Sequence, residues 1–360
     1  MNRDRAKRYN RFKLVSSLGG IALDITFWLV VILSGVTLYL ADLCYNTFQH
    51  AMLQFYLFVF LLGVINLVIH LPLNFYSGFV LEHQFSLSNQ NVLHWLWEKI
   101  KGLLVGLILG GIVLTVFFSI LQRYPDGWWF IAWLFLILFT VILSRIAPLI
   151  IFPLFYKFRP LENQHLRERI QEFAAKYNLN ISGTFQFDLS KTTKKANAAF
   201  AGIGKSKRII LGDTLLTHFN EDEIMTVFAH EVGHYHHKHL LKGILLNSII
   251  SLMGLWLTAQ IYTFILLQKN YSPAQLEALP YLSLIFLFYG LITGPLANMI
   301  SRRYEFQADR FAVSSSGKAD IFKSSLKKLS ELNLADETPH PVIEFLFYSH
   351  PSIQHRLEKL

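Results

Sequence analysis

The chain of 360 residues has one cysteine, Cys44, which rules out an internal disulfide framework. That residue and the lack of any Gly-x-Ser-x-Gly argue against nucleophilic Cys or Ser catalysis. Charge is scarce: Asp, Glu, Lys and Arg make up 16% of residues against 53% hydrophobic, too apolar for an ordinary soluble protein. There is no internal repeat, Gly/Ser linker or low-complexity tract, so nothing marks a detachable domain. What is abundant is apolar, with 31 Phe, 15 Tyr, 7 Trp and a mean hydropathy of +0.38. This composition excludes a disordered chain, a nucleic-acid-binding tail and a small disulfide scaffold, and it points to a membrane.

Six stretches are near the roughly 20 residues needed to cross the hydrocarbon core. They run from Ile25 to Ala41, Ala51 to Ile69, Leu103 to Leu121, Trp128 to Leu143, Gly243 to Leu267 and Leu279 to Ile300. The third, fifth and sixth contain no charged residue, which a buried soluble helix rarely manages. The fourth is followed by Arg145 and the Pro-interrupted run Ala147 to Tyr156, read as a bend into the interface. If the first span leaves the cytoplasm, only Arg123 and Lys269 of 33 basic residues lie in exterior loops. The positive-inside rule then puts both termini in the cytoplasm. The basic start, Arg3 to Lys13, leads into a run too long for a signal peptide with no good cleavage site after it, so it reads as a retained first helix.

The expected fold is mainly α: a multi-pass transmembrane helix bundle with an inserted cytoplasmic α/β catalytic unit. Residues 1–143 form an N-terminal membrane region with four spans, 144–242 a cytoplasmic region, 243–300 two more spans, and 301–360 a C-terminal cytoplasmic region. Within the insert, Leu161 to Leu179 has helical spacing, while alternation at Phe185, Phe187 and Leu189 and the runs Asn197 to Ile203 and Arg208 to Leu216 read as strands. Asn220 followed by Glu221, Asp222 and Glu223 is a capped helix start.

That helix carries His230-Glu231-Val232-Gly233-His234, the H-E-x-x-H pattern. Its two histidines share one face and can hold one Zn2+ per chain, with Glu231 beside them as general base. Chance placement gives roughly 0.02 occurrences in a chain of this composition, so the motif alone is suggestive and needs a second signal. Glu305 supplies it. It lies just past the sixth span, two spans after the His230 helix, so both emerge on one membrane side; His, His and Glu form a recognised zinc set. Asp309, four residues on, can orient a ligand histidine through its ring N–H. The chemistry implied is peptide hydrolysis by a zinc-activated water whose proton Glu231 takes.

Two further residues stay open on this reading. Asn197 can fix a substrate backbone at an edge strand or simply form a turn. His350 can donate to the oxyanion or be an ordinary loop histidine. His236, His237 and His239 read as solvated or as supporting groups, and Cys44 as inert.

Taken together, the chain resembles the type I zinc-dependent CAAX prenyl protease family, the membrane gluzincins that include HtpX-like proteases. The resemblance rests on Phe79-Val80-Leu81-Glu82 and the aromatic loop after it, Asn197 to Phe200, Lys207 to Leu216, His230 to His239, Glu305 to Ala312, and Tyr348 to Pro351. It implies zinc on His230, His234 and Glu305, Glu231 as base, and Asn197 and His350 lining the substrate cleft. It further implies peptide or membrane-protein substrates, lipidated C-terminal tails among them, at a chamber enclosed by seven helices. Here the Phe79 loop follows the second span, as if the family's first helix were missing, and the six-span form suggests a bacterial inner-membrane protein with its site in the cytoplasm.

The alternatives are an HtpX-like protease of membrane-protein quality control, a site-two-type intramembrane protease, and a zinc transporter or non-catalytic scaffold. A site-two-type enzyme buries H-E-x-x-H in a span, whereas this motif follows an acidic, capped helix start. A transporter needs paired ionisable residues at mid-depth, which the spans lack. No nucleic-acid partner is expected.

Overall fold

The computed structural model describes residues 3–179, 181–201 and 208–360. Helix α1 (Arg3–Leu33) is followed after a break by α2 (Val36–Thr47), and α3 (Ala51–Phe75) returns antiparallel. A π-turn (Tyr76–Val80) and the short α4 (Leu81–Gln84) lead to α5 (Val92–Arg123) and α6 (Trp128–Ile146). A second π-turn and α7 (Phe152–Phe155) prolong α6, and β1 (Phe158–Pro160) begins the insert.

Four helices in this half are long and apolar enough to cross a membrane; α11 (His239–Lys269) and α12 (Leu279–Ser316) make six among the described residues. Their outward faces carry exposed apolar side chains such as Phe60, Leu107, Leu138, Met253 and Ile292, as lipid contact requires. Inside, Phe27, Phe55, Phe58 and Phe118 form one buried cluster, and Trp128, Tyr262 and Leu282 another.

Two span boundaries differ from the sequence reading. The first apolar run is kinked, because Gly35 takes a left-handed φ of 80° between α1 and α2, a conformation that suits glycine. The fourth helix does not end at Leu143. It runs on to Phe155 through the π-turn Ala147–Ile151, with Pro148 and Pro153 just inside the two points where the helical type changes and the regular ladder is already broken.

The insert comprises α8 (Gln164–Lys176), β2 (Gly183–Phe187), β3 (Ala198–Ala201), β4 (Arg208–Gly212), α9 (Asp213–His218) and α10 (Glu221–His236). Its sheet order is β1-β2-β4-β3, with β2 and β4 parallel and the other pairs antiparallel, so β3 is an edge. The expected strand Arg208 to Leu216 ends at Gly212, after which Asp213 starts a helix that buries Leu215. Of the expected strand Asn197 to Ile203, Gly202 and Ile203 lie outside the described residues, as does Lys207. Leu166, Ile170, Leu211, Leu215, Phe228 and Val232 share one core with Phe311 of α12. After α12 come α13 (Ala319–Asn333), α14 (Pro341–Phe347) and α15 (Ile353–Glu358).

Candidate metal centre

Helix α10 begins with a full capping box, Asn220 accepting from the Glu223 backbone and the Glu223 side chain accepting from Asn220 N–H. It then crosses α12 closely. A Cβ added at Gly233 would lie 2.9 Å from Ala308 Cα, so the glycine within H-E-x-x-H lets the two backbones meet. That crossing sets His230 and His234 opposite Glu305. Lys238, at φ 56°, turns the chain sharply from α10 into α11.

His230 Nε2 and His234 Nε2 are 3.2 Å apart. Glu305 Oε2 is 3.4 Å from the first and Oε1 3.3 Å from the second. Four ligands held tetrahedrally at roughly 2.0 to 2.1 Å from a common ion stand about 3.3 to 3.4 Å apart, so these three donors fit a bound metal ion. Glu305 is buried, with its carboxylate turned to the ring nitrogens of His230, His234 and His350, a donor set that suits a cation.

Each imidazole is held in the tautomer that frees Nε2. His230 Nδ1 stands 2.8 Å from Asp309 Oδ1. Asp309 is in turn gripped by Arg356, Nε to Oδ2 at 2.8 Å and Nη2 to Oδ1 at 2.5 Å. His234 Nδ1 is 3.0 Å from His239 Nδ1, and His239 Nε2 is 2.8 Å from Gln307 Oε1. An amide oxygen can only accept, so His239 donates from Nε2, its Nδ1 accepts, and His234 Nδ1 must donate. In the neutral form of each ring the metal-facing Nε2 then carries the lone pair.

Burial alone would depress the His230 imidazole, but the Asp309 and Glu305 carboxylates bring it up to about 9. The pocket attracts positive charge. Burial raises the Glu231 carboxyl, while the charges of His230 and His234 work against that rise. His350 is largely exposed, with Nδ1 3.0 Å from Glu305 Oε2, and Asn197 lines the same cleft of about 340 Å³ from the start of β3. All seven residues nominated from the sequence thus lie within or beside one cleft. His239, read from the sequence as solvated or supporting, stands behind His234, whereas Arg356 and Gln307 were not nominated.

The model described as peptidase family M48 matches residues 160–360, and that of the CAAX prenyl protease N-terminal region, five membrane helices, matches 2–157. The chain belongs to peptidase family M48. As a family member it is 28% identical over 358 residues to the uncharacterized metalloprotease YhfN of Bacillus subtilis, covering 98% of this chain and 84% of that one. It is 32% identical over 324 residues to CAAX prenyl protease 1 of Saccharomyces cerevisiae, covering 84% and 71%. The crystal structure of S. mikatae Ste24p superposes with a TM-score of 0.87 at 27% identity, over 99% of this chain and 88% of that one. This M48 protein is a membrane metalloprotease resembling CAAX prenyl protease.

Proposed function

We propose that the cleft is a zinc endopeptidase site in which His230, His234 and Glu305 hold the ion and Glu231 is the general base. The arrangement of three donors around one point, with both histidine tautomers fixed from behind, carries this reading. Bound there, zinc supplies Lewis acidity, making a water acidic and polarising the scissile carbonyl. Glu231 accepts the water's proton on its carboxylate and passes it to the departing amine. The exposed His350 donates a hydrogen bond to the oxygen that gains charge, and the Asn197 amide and the β3 edge hold the substrate backbone. Asp309 and Arg356 keep His230 aimed.

Residues 1–143 and 243–300 serve as the membrane part, and 144–242 and 301–360 supply the two halves of the site. The excess of Lys and Arg on one side supports a cytoplasmic site in a bacterial inner membrane. Likeness to CAAX prenyl protease 1 supports lipidated C-terminal tails among the substrates. An apolar cavity of about 660 Å³ between the spans, lined by Phe27, Phe55, Phe58, Leu62, Phe117 and Phe286, is suited to a hydrocarbon chain.

The test is zinc content by elemental analysis together with casein cleavage for wild type and Glu231→Gln in detergent. One zinc per chain in both, with cleavage lost only in the variant, is the expected result. Full cleavage by Glu231→Gln would remove the mechanism. A prenylated peptide cut no faster than its unmodified form would remove the lipid-tail assignment.

A further inference from the structure

The edge of β3 is open over only part of its length, and the chain itself closes the rest. Gly212 N–H donates to Asn197 O at 2.9 Å, so Asn197 and every second residue from it face β4, while Ala196, Ala198 and Phe200 turn their backbone groups outward. At Ala196 both outward groups are already taken. Its N–H donates to Asn333 Oδ1 at 2.9 Å, and Asn333 Nδ2 donates to its carbonyl at 3.2 Å, so one side-chain amide mimics a pairing strand.

Further back the edge is closed again. Lys194 N–H donates to Leu87 O at 2.9 Å, Asn89 N–H donates to Thr192 O at 3.2 Å, and Ser88 bridges to Thr193. Among the described residues no hydrogen bond reaches the outward groups of Ala198.

We propose that Asn333 is a specificity-determining residue that fixes how far a substrate can extend past the cleavage point. This rests on the endopeptidase reading and on β3 as the strand that pairs with substrate. The metal-facing atoms share their cleft with Ala196, Asn197 and Ala198, at the closed end of the edge. A peptide adding antiparallel to β3 places its amino-terminal part along Ala198 and Phe200 and its carboxyl-terminal part against Asn333. Pairing on the carboxyl side therefore stops at the rung that Asn333 fills. Because rungs recur every second residue, vacating that one rung lengthens the paired segment by two residues. The closure at Leu87 to Asn89 prevents more.

The experiment first maps a cut in casein by mass spectrometry. Nested peptides are then built around that cut, carrying two to eight residues on its carboxyl side and a constant amino side. Wild type is expected to lose at least tenfold in kcat/KM beyond one length. Asn333→Ala, with unchanged metal content, moves that break out by two residues. Asn333→Ser is the second variant should the alanine form not fold, and Asn333→Gln, which refills the rung, leaves the break in place.

A break at the same length in Asn333→Ala and Asn333→Ser, or a uniform loss at every length, overturns the proposal and leaves Asn333 a support for the strand. A break that appears only when the amino side is extended overturns the antiparallel placement. Failure of wild type to cut casein at all would instead bring down the endopeptidase reading, and this inference with it.

Discussion

Arg356 and Asp309 form a buried two-bond pair directly behind His230, joining the C-terminal α15 to the metal-facing helices. The pair fixes the acceptor that His230 Nδ1–H needs, so its loss is felt as loose metal. Arg356→Gln is expected to weaken zinc binding by roughly 10- to 100-fold, measured by competition with a chromophoric chelator. Wild-type affinity in that variant would make Arg356 a packing residue only.

His234 is oriented by a neutral relay, through His239 to Gln307. Gln307→Leu removes the acceptor, frees His239 to exchange tautomers, and should lower zinc affinity about tenfold with little change in unfolding temperature. Gln307→Glu retains an acceptor oxygen and is expected to restore most of the affinity in the same chelator assay.

Gly233 is where α10 and α12 touch. Gly233→Val forces the helices apart and is expected to cost about 1 to 3 kcal/mol of stability. It should also cost metal, because His234 and Glu305 face each other across that contact. Thermal unfolding in detergent, with zinc content measured on the same sample, checks both. A variant as stable and as fully loaded as wild type would show that the close approach is dispensable.

An acid-sensitive clamp ties α8 and α13 to the start of α10. Hydrogen bonds from Asn163, His165 and Arg169 hold the Glu221 carboxyl below its ordinary range, and Lys318 and Arg169 do the same for Asp222. Both values are lower folded than unfolded, so their stabilisation is complete above the ordinary carboxylate pKa of about 4 and disappears as pH falls through the depressed values. Arg169→Met should therefore be less stable than wild type at neutral pH, by a margin that shrinks as pH falls below about 4. Thermal melts across that range decide, and a constant gap would remove the electrostatic account.

The parts of the site legible in the sequence are those set by local geometry or by counting spans. His230, Glu231 and His234 follow from helical spacing, and Glu305 from the number of spans between it and them. Arg356 and Asn333 were illegible because each meets its partner across a long stretch of chain, Asp309 in one case and Ala196 in the other. The kink at Gly35 was hidden in an apolar run that hydropathy reads as continuous. The misread strand through Leu216 has a similar cause: Ile209 to Leu211 and Leu215 to Leu216 are both apolar, and only the Gly212-Asp213-Thr214 step between them marks the change to helix.

Helix α12 runs without interruption from Leu279 at one face of the bundle to Glu305 at the metal cluster and on to Ser316. Over the 26 residues between those first two points it extends about 39 Å, with Pro295 inside it. If it pivots at its outer end, one degree of tilt moves Glu305 by about 0.7 Å, roughly a third of a metal–ligand bond. The other two donors ride on α10, which packs against α12 where Gly233 meets Ala308, so a tilt of α12 carries α10 with it. Hydrophobic mismatch, which sets the tilt of a span, therefore shifts the three-donor cluster as one body against the membrane surface and leaves the distances within it to the α10–α12 contact.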